Sequence, residues 1–213
     1  MNRLVIASAA LAVAGLLTTG CGGQASGSGH GQQAGGTHGM SSTASPSAPP
    51  TSGATGTTVA DHNEQDVMFA QMMIPHHRQA IDMAKLADSR ASSPDVKQLA
   101  EQIEAAQEPE ITTMSGWLTA WNMKVPDDDM SSMGHGTEGM MSADDMKELE
   151  DLSGSAFDKA FLTMMIEHHE GAVAMAEKER DSGAYAPARE LAATIVTSQT
   201  AEIGTMKQML QSK

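Results

Sequence analysis

The sequence predicts an all-α protein whose main domain is a ferritin-like four-helix bundle made of two duplicated antiparallel hairpins. The stretch that begins at Phe69 and contains Met-Met-Ile-x-His-His recurs 92 residues later, beginning at Phe161. The repeat extends beyond the histidines, because Leu99, Ile103, Gln107, Glu110, Ile111, Met114 and Leu118 recur as Leu191, Ile195, Gln199, Glu202, Ile203, Met206 and Leu210. Only two copies are present, and this predicts a pseudo-symmetric bundle instead of a solenoid.

The spacing of apolar residues in the first copy is helical. Apolar or small side chains and one histidine recur at intervals of four, three, four, three and four, at Phe69, Met73, His76, Ala80, Met83 and Ala87. This period is typical of a helix that is buried along one face. His76, and by repetition His168, are therefore expected to point into the core.

Capping and turn residues predict the boundaries of the first repeat, at about residues 63–122. Asn63 with Asp66 three residues later forms a helix start, and that helix is expected to end near Arg90. Pro94 suits the first position of the second helix, which continues to about Asn122.

A Met- and His-rich loop is expected at 123–142, before the second repeat at about 155–210. Ser142 with Asp145 predicts a short extra helix after the loop. Gly183 ends the first long helix of this repeat, and Pro187 opens the second. Short connections favour antiparallel neighbours, which completes the two hairpins of the bundle.

The N-terminus is predicted to direct export. Residues 1–20 combine one basic residue, Arg3, with an apolar stretch from Leu4 to Leu17, which is typical of a signal peptide. Cys21, the only cysteine, follows Gly20 as in a bacterial lipobox, although Thr18 replaces the usual aliphatic residue. We expect a diacylglyceryl lipid on Cys21, which anchors the protein to the outer face of a bacterial membrane.

Composition divides the remaining chain into a tether and a domain. Residues 21–60 are rich in Gly, Ser, Thr and Pro and are predicted to be disordered. The domain at 61–213 carries 27 acidic and 12 basic residues, a formal charge of −15. This charge argues against nucleic acid as a partner, and contact with the membrane is expected through the lipid anchor only.

The two His-His motifs form the candidate metal site. Each lies one helical turn from methionines, and imidazole with thioether favours copper, especially Cu(I). The predicted ligands are the four histidines, with His76 and His168 as primary ligands, and methionines that act as ligands or as a soft shell: His76, His77, His168, His169, Met72, Met73, Met83, Met164, Met165 and Met175. The alternative interpretation is a Met-rich core with hydrogen-bonded structural histidines.

Two further groups of residues accompany this site. If the first turn centres near Ala91, residues whose numbers sum to about 183 share one level, which pairs His76 with Gln107 and Met73 with Glu110. The candidate second-shell residues are Gln107, Glu110, Gln199 and Glu202. Candidate capture residues in the loop, expected to be exposed, are Met133, His135, Met140 and Met141.

The repeated Met-Met-Ile-x-His-His motif, followed after five residues by Met-Ala, resembles the family called domain of unknown function 305, over roughly residues 61–213. The resemblance implies a ferritin-like four-helix bundle. It also implies a function connected with copper, because some members are linked to copper binding and copper tolerance. For most members no activity is assigned.

These observations predict an exported, lipid-anchored protein that sequesters, buffers or delivers a copper ion without catalysis. One alternative is a structural or partner-binding envelope lipoprotein without metal. A second is a di-metal oxidase, but such sites use Glu-x-x-His motifs, and residue 165, three before His168, is a methionine. A homodimer or a copper-transfer partner is left open.

Overall fold

The computed structural model describes residues 61–127 and 138–212, which form five helices and no strand. The helices are α1 (Glu64–Arg90), α2 (Pro94–Ala120), α3 (Ala143–Asp151), α4 (Gly154–Ser182) and α5 (Ala186–Gln211). The predicted all-α class is therefore confirmed, with α3 as the short extra helix.

Capping residues fix the starts of α1 and α3. The Asn63 side chain accepts a hydrogen bond from the amide of Asp66, and the Asp66 carboxylate accepts one from the amide of Asn63. Ser142 and Asp145 form the same reciprocal pair at α3. Each pair satisfies amides that a helix N-terminus otherwise leaves without a partner, as the sequence predicts.

The bundle consists of two helical hairpins, α1–α2 and α4–α5, which meet chiefly through α1 and α4. The predicted seam of α1 is buried along its whole length. Two apolar clusters form the core. One joins the C-terminal half of α1 to the first half of α4, including Met83 and Phe161, and the other joins the first half of α1 to the second half of α4, including Met73 and Ala176. The His-His motifs lie between these clusters.

One aspartate of each hairpin accepts hydrogen bonds from the turn of the other hairpin. Asp158 in α4 accepts hydrogen bonds from the amide and hydroxyl of Ser92 and from the amide of Ser93. Asp66 in α1 accepts bonds from the amides of Ala184 and Tyr185. Every residue of one set lies 92 positions from its equivalent in the other set. The two contacts are therefore related by the pseudo-twofold symmetry of the repeat.

No helix in the described ranges is long and apolar enough to cross a membrane. The predicted signal peptide, Cys21 and the tether lie outside those ranges.

Candidate metal centre

His76 and His168 meet where α1 crosses α4. Both side chains are buried, with 0% and 1% exposure, and their ring centroids lie 3.8 Å apart. Because 92 residues separate them, they are equivalent positions that contact each other across the pseudo-twofold axis. The inward orientation expected for both residues is confirmed.

His77 and His169 are also fully buried, and each binds a carboxylate from the second helix of its own hairpin. The Nε2 atom of His77 lies 2.6 Å from a carboxylate oxygen of Glu110, and that of His169 lies 2.6 Å from Glu202. Glu110 therefore bonds to His77, whereas the sequence places it level with Met73. Side chains lean toward the N-terminus of their own helix, so long side chains of two antiparallel helices can meet although their Cα atoms lie at different levels.

The four histidines, called here the histidine layer, supply most of the buried polar atoms of the described residues that have no hydrogen-bond partner: both ring nitrogens of His76 and His168 and the Nδ1 atoms of His77 and His169. The others are both amide atoms of Gln107, the amide oxygen of Gln199 and the carboxylate oxygens of Glu179. Burying such atoms unpaired costs about 1–3 kcal/mol each. Most buried polar groups in proteins have such a partner, so these atoms are the unusual feature of this part of the core.

The electrostatics of the layer keep the central rings neutral. Burial lowers the pKa of His76 to about 3, and His77 lowers it further; the backbone of Glu138, which is near the ring but outside hydrogen-bond geometry, partly opposes these effects. Burial, followed by the charges of His76, His169 and His77, holds the pKa of His168 well below its usual value. A neutral imidazole has a free lone pair, which metal coordination requires.

The predicted methionines lie at different distances from the histidines. Met73 and Met165, one turn before His76 and His168, are fully buried, and Met72 and Met164 are half-buried. Met83 lies in the first apolar cluster and Met175 packs against the second. Both are seven residues beyond the central histidines, about 10 Å along the helix axis. The thioether sulfur atoms best placed to bind a metal at the histidine layer are therefore those of residues 72, 73, 164 and 165.

The end of the loop packs across α1 and α4 beside the histidines. The Gln79 side chain donates to the carbonyl of Met141 at 2.8 Å and accepts from its amide at 2.7 Å. Met141 is buried and Met140 is half-buried. The expected exposure of Met141 is therefore wrong, because Gln79 fixes its backbone against the core. Met133 and His135 lie outside the described residues.

Gln79 and Gly171 both hold this segment, and neither is among the site residues that the sequence predicts. A Cβ atom on Gly171 would lie 2.1 Å from the carbonyl oxygen of Glu138, so only glycine allows so close an approach. A glycine in the middle of a helix costs about 1 kcal/mol of stability relative to alanine. The presence of Gly171 inside a predicted helix was therefore the available sign that the backbone there packs closely against another segment.

The soft groups near the histidine layer that could bind a metal are imidazoles and thioethers. Within residues 61–127 and 138–212, no three His, Cys, Asp or Glu side chains are grouped so that they alone would hold a metal. The thioethers of Met72, Met73, Met164 and Met165 are the other soft donor groups within one helical turn of the histidines. That combination suits Cu(I) better than the harder divalent ions.

The sequence pattern of the family described as Domain of unknown function (DUF305) matches residues 66–210. The chain belongs to the DUF305 family. Within it, this DUF305 protein is 33% identical to a structure of a secreted-type member from Streptomyces coelicolor, with a TM-score of 0.64 and coverage of 70% of this chain and 93% of that one. A fragment from Deinococcus radiodurans is 32% identical, with a TM-score of 0.65 and coverage of 71% and 98%.

Other similar structures are those of CopM. Its Cu(II)-bound form is 37% identical to this DUF305 protein, with a TM-score of 0.60 and coverage of 69% of this chain and 96% of CopM. Its Cu(I)-bound form is 36% identical, with a TM-score of 0.59 and the same coverage. No protein with a curated description matches the chain.

Proposed function

We propose that this DUF305 protein binds copper at the histidine layer and buffers or delivers the ion without catalytic turnover. The observation that carries this proposal is the pair of neutral, buried imidazoles of His76 and His168, whose ring nitrogens have no hydrogen-bond partner and which meet on an axis that both repeats share. The similarity to CopM supports it, since the structures of CopM include forms bound to Cu(I), Cu(II) and silver.

The residues of the layer would have distinct roles. His76 and His168 would supply the imidazole nitrogens, and thioethers from residues 72, 73, 164 and 165 would complete a soft ligand set. His77 and His169, each bound to a carboxylate, would surround the ligands and fix their orientation. Such outer contacts tune metal affinity in other proteins.

Export and lipid anchoring form part of the same proposal. Cys21 would carry the lipid and the tether would hold the domain away from the membrane. The secreted-type member from Streptomyces coelicolor supports export. A copper buffer outside the cytoplasm would also benefit from thioether and imidazole ligands, because cysteine thiolates are prone to oxidation there.

An anaerobic Cu(I) titration against a chromogenic chelator tests the proposal. Every protein is the full chain with Cys21→Ser, so that no thiol competes for the metal. The test variant is His76→Gln/His168→Gln, and the matched control is His30→Gln/His38→Gln, which removes two histidines of the predicted tether. Circular dichroism at equal concentration checks that each variant keeps its helical content.

We expect the core variant, His76→Gln/His168→Gln, to bind one equivalent of Cu(I) fewer than the parent protein, and the control to bind as many as the parent. Failure of the parent protein to compete with the chelator would overturn copper binding, and the metal-free lipoprotein would then be favoured. Unchanged binding by the core variant would remove the site from the histidine layer. Oxygen uptake with Fe(II) by the parent protein would instead favour the di-metal oxidase.

A further inference from the structure

A cleft at one end of the bundle brings together soft side chains that the histidine layer does not use. It has a volume of about 460 Å³ and lies between the start of α1 and the chain that follows α2. His62, Glu64, Met68, Gln71 and Met123 are among its lining residues. Met68 and Met123, at 41% and 42% exposure, are the exposed large hydrophobic residues of the described ranges, and both line this cleft.

Hydrogen bonds hold the Met123 side of the cleft in place. After α2 the chain turns through Asn122, whose φ of 57° lies in the left-handed region that asparagine tolerates. The Met123 amide then donates to the carbonyl of Leu118 at 2.8 Å, and the Gln71 side chain donates to the carbonyl of Lys124 at 3.0 Å. Met123 is therefore fixed opposite α1 although it lies outside any helix.

The ring of His62 is also fixed. It stacks on Trp121 with a centroid distance of 4.4 Å and an interplanar angle of 8°. Trp121 is buried and in turn contacts Trp117 and Tyr185. Since the imidazole nitrogens lie in the plane of the ring, stacking covers a face of His62 and leaves the ring edge available to a ligand.

We propose that His62, Met68 and Met123 form a second, solvent-accessible site for a soft monovalent metal ion, Cu(I) or Ag⁺. Two thioethers and an imidazole are the donors that such ions prefer, and the flexible methionine side chains allow both sulfur atoms to turn into the cleft. Glu64 and the acidic domain attract a cation.

The cleft is separate from the histidine layer. Met68 precedes His76 by eight residues, about 12 Å along α1. The assignment rests on the cleft's own side chains and not on copper binding at the layer, so the two sites can be tested independently.

Tryptophan fluorescence provides a readout that is local to the cleft. The chain has two tryptophans, so Trp117→Phe leaves Trp121 as the sole reporter. Full-length protein with Cys21→Ser and Trp117→Phe is titrated with silver nitrate in chloride-free buffer. The test variant adds Met68→Leu/Met123→Leu, which keeps the apolar volume but removes both sulfur atoms. The matched control adds Met146→Leu/Met209→Leu, two half-buried methionines that pack against the other apolar cluster.

We expect Ag⁺ to quench Trp121 in the parent and control proteins with one-site saturation, and the test variant to need at least tenfold more Ag⁺. Equal quenching of the test variant would overturn the site. Counting bound Ag⁺ after gel filtration, in proteins that retain Trp117, gives a second measurement, in which the test variant must lose one equivalent.

Adding His76→Gln/His168→Gln to the Trp117→Phe protein tests the cleft independently of metal binding at the histidine layer. Quenching that persists in that variant supports the cleft whatever the layer binds. Quenching lost in that variant but retained in Met68→Leu/Met123→Leu would overturn the cleft and leave the histidine layer as the site.

Discussion

His76 and His168 occupy equivalent positions in the two repeats, and their rings contact each other with centroids 3.8 Å apart. Each hairpin therefore supplies half of the layer, and neither hairpin alone would contain the candidate site. An ion bound there would link the two hairpins, so binding should raise the stability of the whole bundle. At one hundred times its dissociation constant a ligand adds about 2.7 kcal/mol to the free energy of unfolding.

Removing the carboxylate beside a flanking histidine should weaken both the fold and metal binding. Glu110→Ala leaves the buried Nε2 atom of His77 without its partner at 2.6 Å, and we expect a loss of about 1–3 kcal/mol in the free energy of unfolding. Metal affinity should fall by about 10–100-fold, the usual effect of losing an outer contact. Urea denaturation and the Cu(I) titration measure the two effects.

The symmetry of the repeat provides a check on this interpretation. Glu202→Ala removes the equivalent contact to His169 and should behave like Glu110→Ala. Glu108→Ala, at an exposed position on α2, is the control and should change neither quantity. A large difference between the two test variants would contradict an equal contribution from each hairpin.

Gly171→Ala should displace the segment at 138–141 from α4. The added Cβ would overlap the backbone of Glu138 and Gly139, which cannot move as a side chain end can. We expect net destabilisation and faster oxidation of Met141 by peroxide, measured by peptide mass spectrometry. Gly204→Ala is the matched control: its Cβ meets nothing within 4 Å, so it should stabilise the protein by about 1 kcal/mol. Equal stabilisation by both substitutions would show that the close approach at Gly171 is not required.

Asp158→Ala should loosen the junction between the hairpins. The carboxylate accepts three hydrogen bonds from Ser92 and Ser93, and hydrogen bonds to a charged group contribute about 1.5–3 kcal/mol. We expect a loss of that order in chemical denaturation. Glu177→Ala, at an exposed site of the same helix, should change stability by less than about 0.5 kcal/mol. A loss no larger than that of the control would show that these hydrogen bonds do not stabilise the junction between the hairpins.

Glu179 should make stability fall as the pH rises. Burial, together with the adjacent Asp66 carboxylate, raises the pKa of Glu179 to about 8 from an ordinary value of 4.5. Backbone hydrogen bonds to Asp66 from Asn63, Tyr185 and Ala184 outweigh the effect of its burial and lower its pKa, so the proton resides on Glu179. The raised pKa stabilises the fold below about pH 4.5, and this contribution is lost as the pH rises toward 8.

Glu179→Gln cannot ionise and therefore removes this pH dependence. We expect its melting temperature to exceed that of the parent protein by several degrees at pH 8, with a much smaller difference at pH 5. Glu177→Gln, an exposed neighbour on α4, should show a constant difference across this range. A constant difference for Glu179→Gln as well would show that the carboxyl is ionised throughout.

Much of the fold follows from local signals in the sequence. Asn63 and Ser142 start helices because their side chains bind amides only three residues away, and the spacing from Phe69 to Ala87 defines a buried face within a single helix. The repeat at 92 residues identifies the hairpin as the unit, and hence the pair of inward histidines.

Contacts between distant parts of the chain depend on the tertiary structure. The hydrogen bond between His77 and Glu110, the burial of Met141 beside Gln79, and the cleft that Met68 and Met123 line all depend on how helices and loops pack. Helical periodicity repeats nearly every turn and so specifies which face is buried but not its level against a neighbour. The sequence by itself therefore determined the helices, their duplication and the histidines that face inward. Only the packing of α1 against α4 decided that these histidines would touch each other, because that contact requires both hairpins at once.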